Sequence, residues 1–202
     1  MTEIKICGLS RREDIDYVNE ALPDYCGFVI EVPESRRSIT KERLCELREQ
    51  LSNKIRPVGV FVNADIKLIS GLLNTGAIEI AQLHGQEDET YIRRLRKMTD
   101  KPLIKAFSIR SLSDLEEAEK SSADLVLLDH GKGGTGSSFD WELLREWKGR
   151  SYFLAGGLTA ENIPEAVYKY HPRAVDLSSS VESDGKKDKR KILAAVAAVR
   201  SI

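Results

Sequence analysis

Lys5-Ile6-Cys7-Gly8 closes a short apolar run that begins at Ile4, and a segment of helical period starts three or four residues later. This strand-then-helix arrangement recurs from one end of the chain to the other. Runs rich in Val, Ile, Leu and Phe predict strands over 2–7, 25–30, 56–62, 78–83, 102–107, 124–129, 151–155 and 173–177. Between and after them, helical patterns cover 11–21, 40–51, 65–75, 87–98, 111–120, 140–147, 159–170 and 188–200. Eight units of about 25 residues predict an α/β chain folded as a single (β/α)8 TIM barrel over 1–202, near the lower size limit of that fold. A leucine-rich solenoid has a similar period, but no LxxLxL repeat recurs. No Pro-, Ser- or Gly-rich linker divides the chain.

In such a barrel, active sites assemble at the C-terminal edge of the strands, which makes Cys7 a candidate nucleophile, base or ligand. Side chains alternate across a strand, so Cys7 shares a face with Lys5 and Glu3 while Ile4 and Ile6 point the other way. With the isoleucines against helices, Lys5 and Cys7 face the barrel interior. Gln82, Lys105, Asp129 and Asp176 repeat the oddity of a polar residue inside an apolar strand and predict a lined pocket. An inward ammonium needs an anionic partner. Strand eight closes beside strand one, so Asp176 is the expected partner of Lys5.

Composition removes several classes of function. With 31 basic and 32 acidic residues the net charge is −1, giving no general attraction for nucleic acid or anionic lipid. No apolar stretch reaches the roughly 20 residues that span a bilayer, and Met1 to Ile6 has no signal-peptide pattern. Cys7, Cys26 and Cys45 form no CxxC pair and no even set, as expected in a reducing cytoplasm. Cys45 lies beside a Leu44, Leu47, Leu51 stripe at the expected margin of the core, and Cys26 opens strand two at the barrel's other end. Both read as structural. His84 and His130 have no metal-ligand spacing, so neither a metal nor another cofactor is expected. Oligomeric state is not readable from the chain.

Two loops point to a phosphorylated small molecule. Ala155-Gly156-Gly157-Leu158 follows strand seven, and Asp176-Leu177-Ser178-Ser179-Ser180 follows strand eight, the two positions where barrels bind phosphate. Thr159 is the expected cap of the helix after the first of these loops. The glycines of 131–136 are not followed by Lys-Ser/Thr as in a Walker A loop and instead suit a mobile flap next to Asp129. Ser35-Arg36-Arg37-Ser38 would overhang the same rim, where a guanidinium can clamp a carboxylate. Lys186 to Arg190 reads as the charged start of the last helix, with Asp188 as its cap.

Taken together, Lys5-Ile-Cys-Gly8, Gly59-Val-Phe-Val-Asn63, Gln82-Leu-His-Gly85, Leu128-Asp129 with Gly133-Gly-Thr-Gly136, Phe139-Asp-Trp141, Ala155-Gly-Gly-Leu158 and Asp176-Leu-Ser-Ser179 resemble the phosphoribosylanthranilate isomerase family of tryptophan biosynthesis. The resemblance runs over nearly the whole chain. It implies a (β/α)8 barrel that performs a cofactor-free Amadori rearrangement of a phosphoribosyl substrate. It further implies Cys7 as general base, Asp129 as general acid, Arg37 as clamp for the anthranilate carboxylate, and Gly156, Gly157 and Ser178 to Ser180 as the phosphate site. Ser180 departs from the family's usual glycine, which raises the question of whether that position needs a left-handed backbone. For the chemistry, Asp129 must be held protonated and Cys7 ionised, and Lys5 is the expected cation for the second task. The alternative readings are another phosphosugar barrel, such as a metal-dependent pentose-phosphate epimerase or the histidine-pathway isomerase, and an inert ligand-binding barrel. The histidine-pathway enzyme uses an Asp where Cys7 stands.

Overall fold

A computed structural model describes residues 1–129 and 141–202. Eight parallel strands run Glu3–Cys7 (β1), Tyr25–Ile30 (β2), Arg56–Phe61 (β3), Ile80–Leu83 (β4), Leu103–Ser108 (β5), Leu125–Asp129 (β6), Tyr152–Ala155 (β7) and Ala174–Leu177 (β8). Each pairs with its neighbours in sequence, and β1 pairs with both β2 and β8, closing the (β/α)8 barrel. A two-residue strand, Ser38–Ile39, extends the sheet beside β2 in the loop that carries Arg37.

The helices are Arg12–Ala21 (α1), Lys41–Arg48 (α2), Ile66–Asn74 (α3), Glu89–Arg96 (α4), Leu112–Glu119 (α5), Ile163–Tyr170 (α6) and Lys189–Arg200 (α7). None is long and apolar enough to cross a membrane. After β6 the described chain forms a 3₁₀ helix, Trp141–Glu146, where an α-helix is expected over 140–147. Thr159 is not the cap of α6. Its amide donates to Asn162 Oδ1 at 2.7 Å, and a turn over 160–162 delays the helix to Ile163, with Asn162 at the cap position. Asp188 does cap α7, accepting from the amides of Arg190 and Lys191 at 2.9 and 3.2 Å.

The alternation in β1 decides which way the strand faces. Ile4 and Ile6 are fully buried against the helices, each contributing about 1.5–3 kcal/mol by removal from water. Turning the strand over would lose that and strand an ammonium among apolar helices. Inside the barrel, Tyr25, Val58, Ile80, Ile104, Leu127, Phe153 and Ala174 fill the middle, with the Tyr25 and Phe153 rings edge to face at 5.2 Å. Glu3 closes the lower end with Tyr25 Oη at 2.8 Å, Arg173 at 3.1 Å and Arg56, whose guanidinium lies 3.8 Å from the centre of the Tyr25 ring. The upper, C-terminal mouth is left to the polar residues.

Candidate active site

Lys5 and Asp176 face each other in the parallel register of β1 and β8. Lys5 is fully buried, and its Nζ donates to Asp176 Oδ2 at 2.8 Å, the pairing expected from the strand order. Burial alone would push the ammonium toward neutrality. Asp176, and after it Cys7, outweigh that and raise its pKa, so Lys5 stays charged. Asp176 Oδ1 is buried with no hydrogen-bond donor among the described residues.

Cys7 ends β1 one step further up the same face and is 8 % exposed. The sulfur owes its place to a missing side chain, since a Cβ on Gly27, its register partner in β2, would lie 2.6 Å from Sγ. Burial pushes the thiol pKa up. Lys5 pulls it down and Asp176 pushes it up again, so the net shift is upward. Lys5 therefore favours the thiolate, as expected of it, but does not by itself outweigh burial, because much of its charge is answered by Asp176.

Gly8 follows with φ +85, and Arg37 lies across it so closely that a Cβ there would fall 2.3 Å from Arg37 Cδ. A side chain at position 8 would be strained by the backbone and would displace the arginine. Arg37 is thus laid on the residue that follows Cys7 in the chain. Its Nε and Nη2 donate to Glu182 Oε1 and Oε2 at 2.6 and 2.9 Å, leaving the Nη1 side of the guanidinium without a partner among the described residues. Arg36 Nη2 reaches the same Glu182 Oε2 at 2.5 Å but is 59 % exposed, so Arg37 is the inward member of the pair. Glu182 is buried, which by itself would raise its pKa. Hydrogen bonds from Arg37 and Lys187 override this and bring it down to about 2.

Asp129 ends β6, three strands from β1 round one side of the barrel and five round the other. His84, in the loop after β4, brings Nε2 to 4.0 Å from Asp129 Oδ2. Gln82 Nε2 lies 2.9 Å from His84 Nδ1, so the amide steers the ring. Burial lowers the imidazole pKa despite the nearby Asp129. Gln82 Oε1 is a second buried acceptor with no donor among the described residues.

Lys105 does not line the pocket as expected. It shares the outer face of β5 with Leu103 and Phe107, and its Nζ donates to Gly85 O at 2.7 Å and to Glu87 Oε2 at 3.1 Å. Glu87 also accepts the amides of Asn63 and Gly85 at 2.6 and 2.8 Å. Together they brace the loops after β3 and β4, and so the loop that carries His84.

The loops after β7 and β8 lie side by side because their strands pair. Gly156 and Gly157 both have left-handed φ, +85 and +70. Ser179–Val181 forms a short 3₁₀ helix, and the Ser178 hydroxyl donates to Cys7 O at 3.1 Å. Ser180 is not left-handed, so its backbone does not require the glycine that it replaces. The proposed flap of 131–136, His130, and the Phe139-Asp140 part of the motif set lie outside the described residues. Among the described residues, no three His, Cys, Asp or Glu side chains gather as metal ligands.

A sequence model of the family described as N-(5'phosphoribosyl)anthranilate (PRA) isomerase matches residues 4–198. The chain belongs to this family. The N-(5'-phosphoribosyl)anthranilate isomerase of Endomicrobium trichonymphae is 44% identical over 206 residues, covering 100% of both proteins. Among solved structures, the phosphoribosyl anthranilate isomerase of Thermotoga maritima aligns at TM-score 0.88 and 32% identity over 100% of both chains. A family structure in complex with reduced 1-(o-carboxyphenylamino)-1-deoxyribulose 5-phosphate aligns at TM-score 0.86 and 31% identity, again over 100% of both chains.

Within this phosphoribosylanthranilate isomerase framework, Ser178 bonds the Cys7 carbonyl, Arg37 lies on Gly8 next in the chain, Asp176 pairs with Lys5 on the face that carries Cys7, and Asp129 ends β6 beside His84. Sequence reasoning missed four side chains of the mouth. His84 was weighed only as a metal ligand, and Glu87 and Glu182 carried no local signal of their partners. Lys187, read as part of the charged start of the last helix, is buried with Nζ 2.8 Å from both Glu182 Oε1 and Ser178 O. The available signal was Asp184-Gly185, a dipeptide typical of tight hairpins, which turns the chain back and aims Lys187 inward. Cys45 is exposed on α2, not at the edge of the core.

Proposed function

We propose that this chain isomerises N-(5-phosphoribosyl)anthranilate to 1-(2-carboxyphenylamino)-1-deoxyribulose 5-phosphate in tryptophan biosynthesis, as one catalytic domain over 1–202 without a cofactor. The observation that carries the reading is Arg37 laid over Gly8 beside Cys7, which puts a carboxylate-binding fork next to a proton acceptor. The ligand in the family's solved complex has both a carboxylate and a 5-phosphate. Those two groups match the Nη1 side of Arg37 and the adjoining loops at Gly156, Gly157 and Ser178 to Ser180.

In this reading Asp129 delivers a proton to the ribose ring oxygen, and the ring opens to a Schiff base. Cys7, as thiolate, then takes the C2′ proton, and the C–H electron pair moves to form the enolamine, which tautomerises to the ketose. No covalent bond to sulfur forms. Acid–base steps of this kind are worth about 10²–10⁴-fold each. The orphaned acceptors Asp176 Oδ1 and Gln82 Oε1 are suited to receive ribose hydroxyls, which would supply the donors they lack. His84, kept neutral by burial, places no cation against Asp129 that would favour its ionised form. Three free thiols, with no disulfide, are in keeping with a reducing cytoplasm.

The test is direct. Pure, folded protein incubated with phosphoribosylanthranilate should yield the ketose product with no added metal or cofactor. Folded protein that forms no product would overturn the reading.

A further inference from the structure

After β8 the chain doubles back as a hairpin, Glu182–Ser183 against Lys186–Lys187. Asp184 and Gly185 at its tip have φ of 50 and 74, the paired left-handed residues of a type I′ turn. The turn fixes the register, and the register sets Glu182 opposite Lys187. Both side chains are buried, at 5 % and 1 % exposure, and meet at 2.8 Å.

A buried ion pair is weak evidence for a stabilising role, because desolvation offsets much of the attraction. The other partners of this pair say more. Glu182 grips the Nε and Nη2 side of Arg37 and also holds Arg36. Lys187 Nζ donates to Ser178 O at 2.8 Å and lies 3.5 Å from Ser178 Oγ, the hydroxyl that donates to Cys7 O. Arg11 donates to Lys187 O at 3.0 Å, and Lys191 to Glu182 O at 2.6 Å, so the hairpin is fastened to the loop after β1 and to α7.

We infer that Glu182 and Lys187 are positioning residues for the isomerase: Glu182 holds the Arg37 fork open toward the substrate carboxylate, and Lys187 holds the Ser178 loop at the depth the phosphate needs. An arginine on a mobile loop loses rotamer freedom when it binds, and an anchor that removes that freedom beforehand makes binding tighter. One carboxylate and one ammonium thereby set the spacing between the two anionic ends of the substrate. The inference rests on the function proposed above.

The experiment is a double-mutant cycle read by KM, kcat and inhibition. Glu182→Gln should raise KM at least about tenfold and leave kcat within about threefold, because the fork loses its anchor while the reacting groups stay. In an Arg37→Ala background the same change should move KM less than about twofold. Lys187→Met should weaken competitive inhibition by ribulose 5-phosphate about tenfold while leaving inhibition by anthranilate within about threefold. Equal effects of Glu182→Gln with and without Arg37 would mean a general structural role and would overturn the inference. If Glu182→Gln does not fold, the Lys187→Met inhibition pattern decides, and unchanged inhibition by ribulose 5-phosphate overturns it. A KM unmoved by Arg37→Ala would sink the clamp and its anchor together. A raised KM there with an unmoved KM in Glu182→Gln sinks the anchor alone.

Discussion

Lys5 Nζ and Asp176 Oδ2 meet at 2.8 Å inside the barrel mouth, between strands held in parallel register. Removing either partner leaves the other charge buried alone. Lys5→Met and Asp176→Asn should each lower unfolding stability by about 3–5 kcal/mol, the usual cost of breaking a buried pair. The double variant Lys5→Met/Asp176→Leu should recover most of that loss. Urea denaturation of the three variants checks the loss and its recovery, and a single variant as stable as the parent would contradict the prediction.

Cys7→Ala and Asp129→Ala should each reduce kcat at least about a hundredfold, the scale of a lost proton-transfer group. Substrate binding should persist, since neither is expected to carry an anionic contact. Steady-state rates on both variants check this, and near-normal turnover in either removes that residue from its proposed role.

The pH profile follows from the raised thiol pKa. A base whose pKa lies above the ordinary cysteine value is mostly protonated at neutrality, so the active fraction grows as pH rises. kcat/KM, which reports the free enzyme, should carry one limb set by ionisation of Cys7 and an opposing limb set by loss of the Asp129 proton. Cys7→Ser should displace the first limb toward higher pH, and a limb that stays in place would exclude Cys7 as the base.

Arg37→Ala should raise KM more than it lowers kcat, because the guanidinium binds a carboxylate that does not react. Arg37→Lys should recover little, since a point charge cannot supply a two-pronged fork. KM and kcat measured on both variants separate binding from chemistry.

Acid stability should depend on Glu182. Its folded pKa, down at about 2, lies below the unfolded value near 4.5. The contribution is therefore complete above about pH 5 and is lost as pH falls toward 2. A drop of that size corresponds to at most about 3 kcal/mol. Glu182→Gln should flatten the pH dependence of unfolding over that range, while an unchanged slope would show that the carboxylate is not held as described.

The barrel was legible because its strands are apolar runs broken by regular helical spacers, a pattern set by burial on both faces of a parallel sheet. Lys5 and Asp176 were legible for a related reason: alternation gave the face, and closure of the barrel gave the neighbour. Lys105 was misread because an apolar strand gives no sign of which face is inward. Its companions Leu103 and Phe107 pack outward, and its partner Glu87 sits in a loop whose path no local pattern reports. Thr159 met the residue preference of a cap, but Asn162, three residues on, took its amide and moved the helix start. Lys187 was hidden among exposed lysines. A two-residue turn buried it.

Two of the residues that shape the site contribute no side-chain atoms. The space for the Cys7 sulfur is the volume that a side chain at Gly27 would fill, and the path of Arg37 is the volume denied to one at Gly8. Grafting the thiol, the carboxylate and the guanidinium onto another barrel would carry over the reagents and leave behind the room in which they act. The two vacant positions belong in any such transplant, and a survey of ligand contacts alone would overlook both.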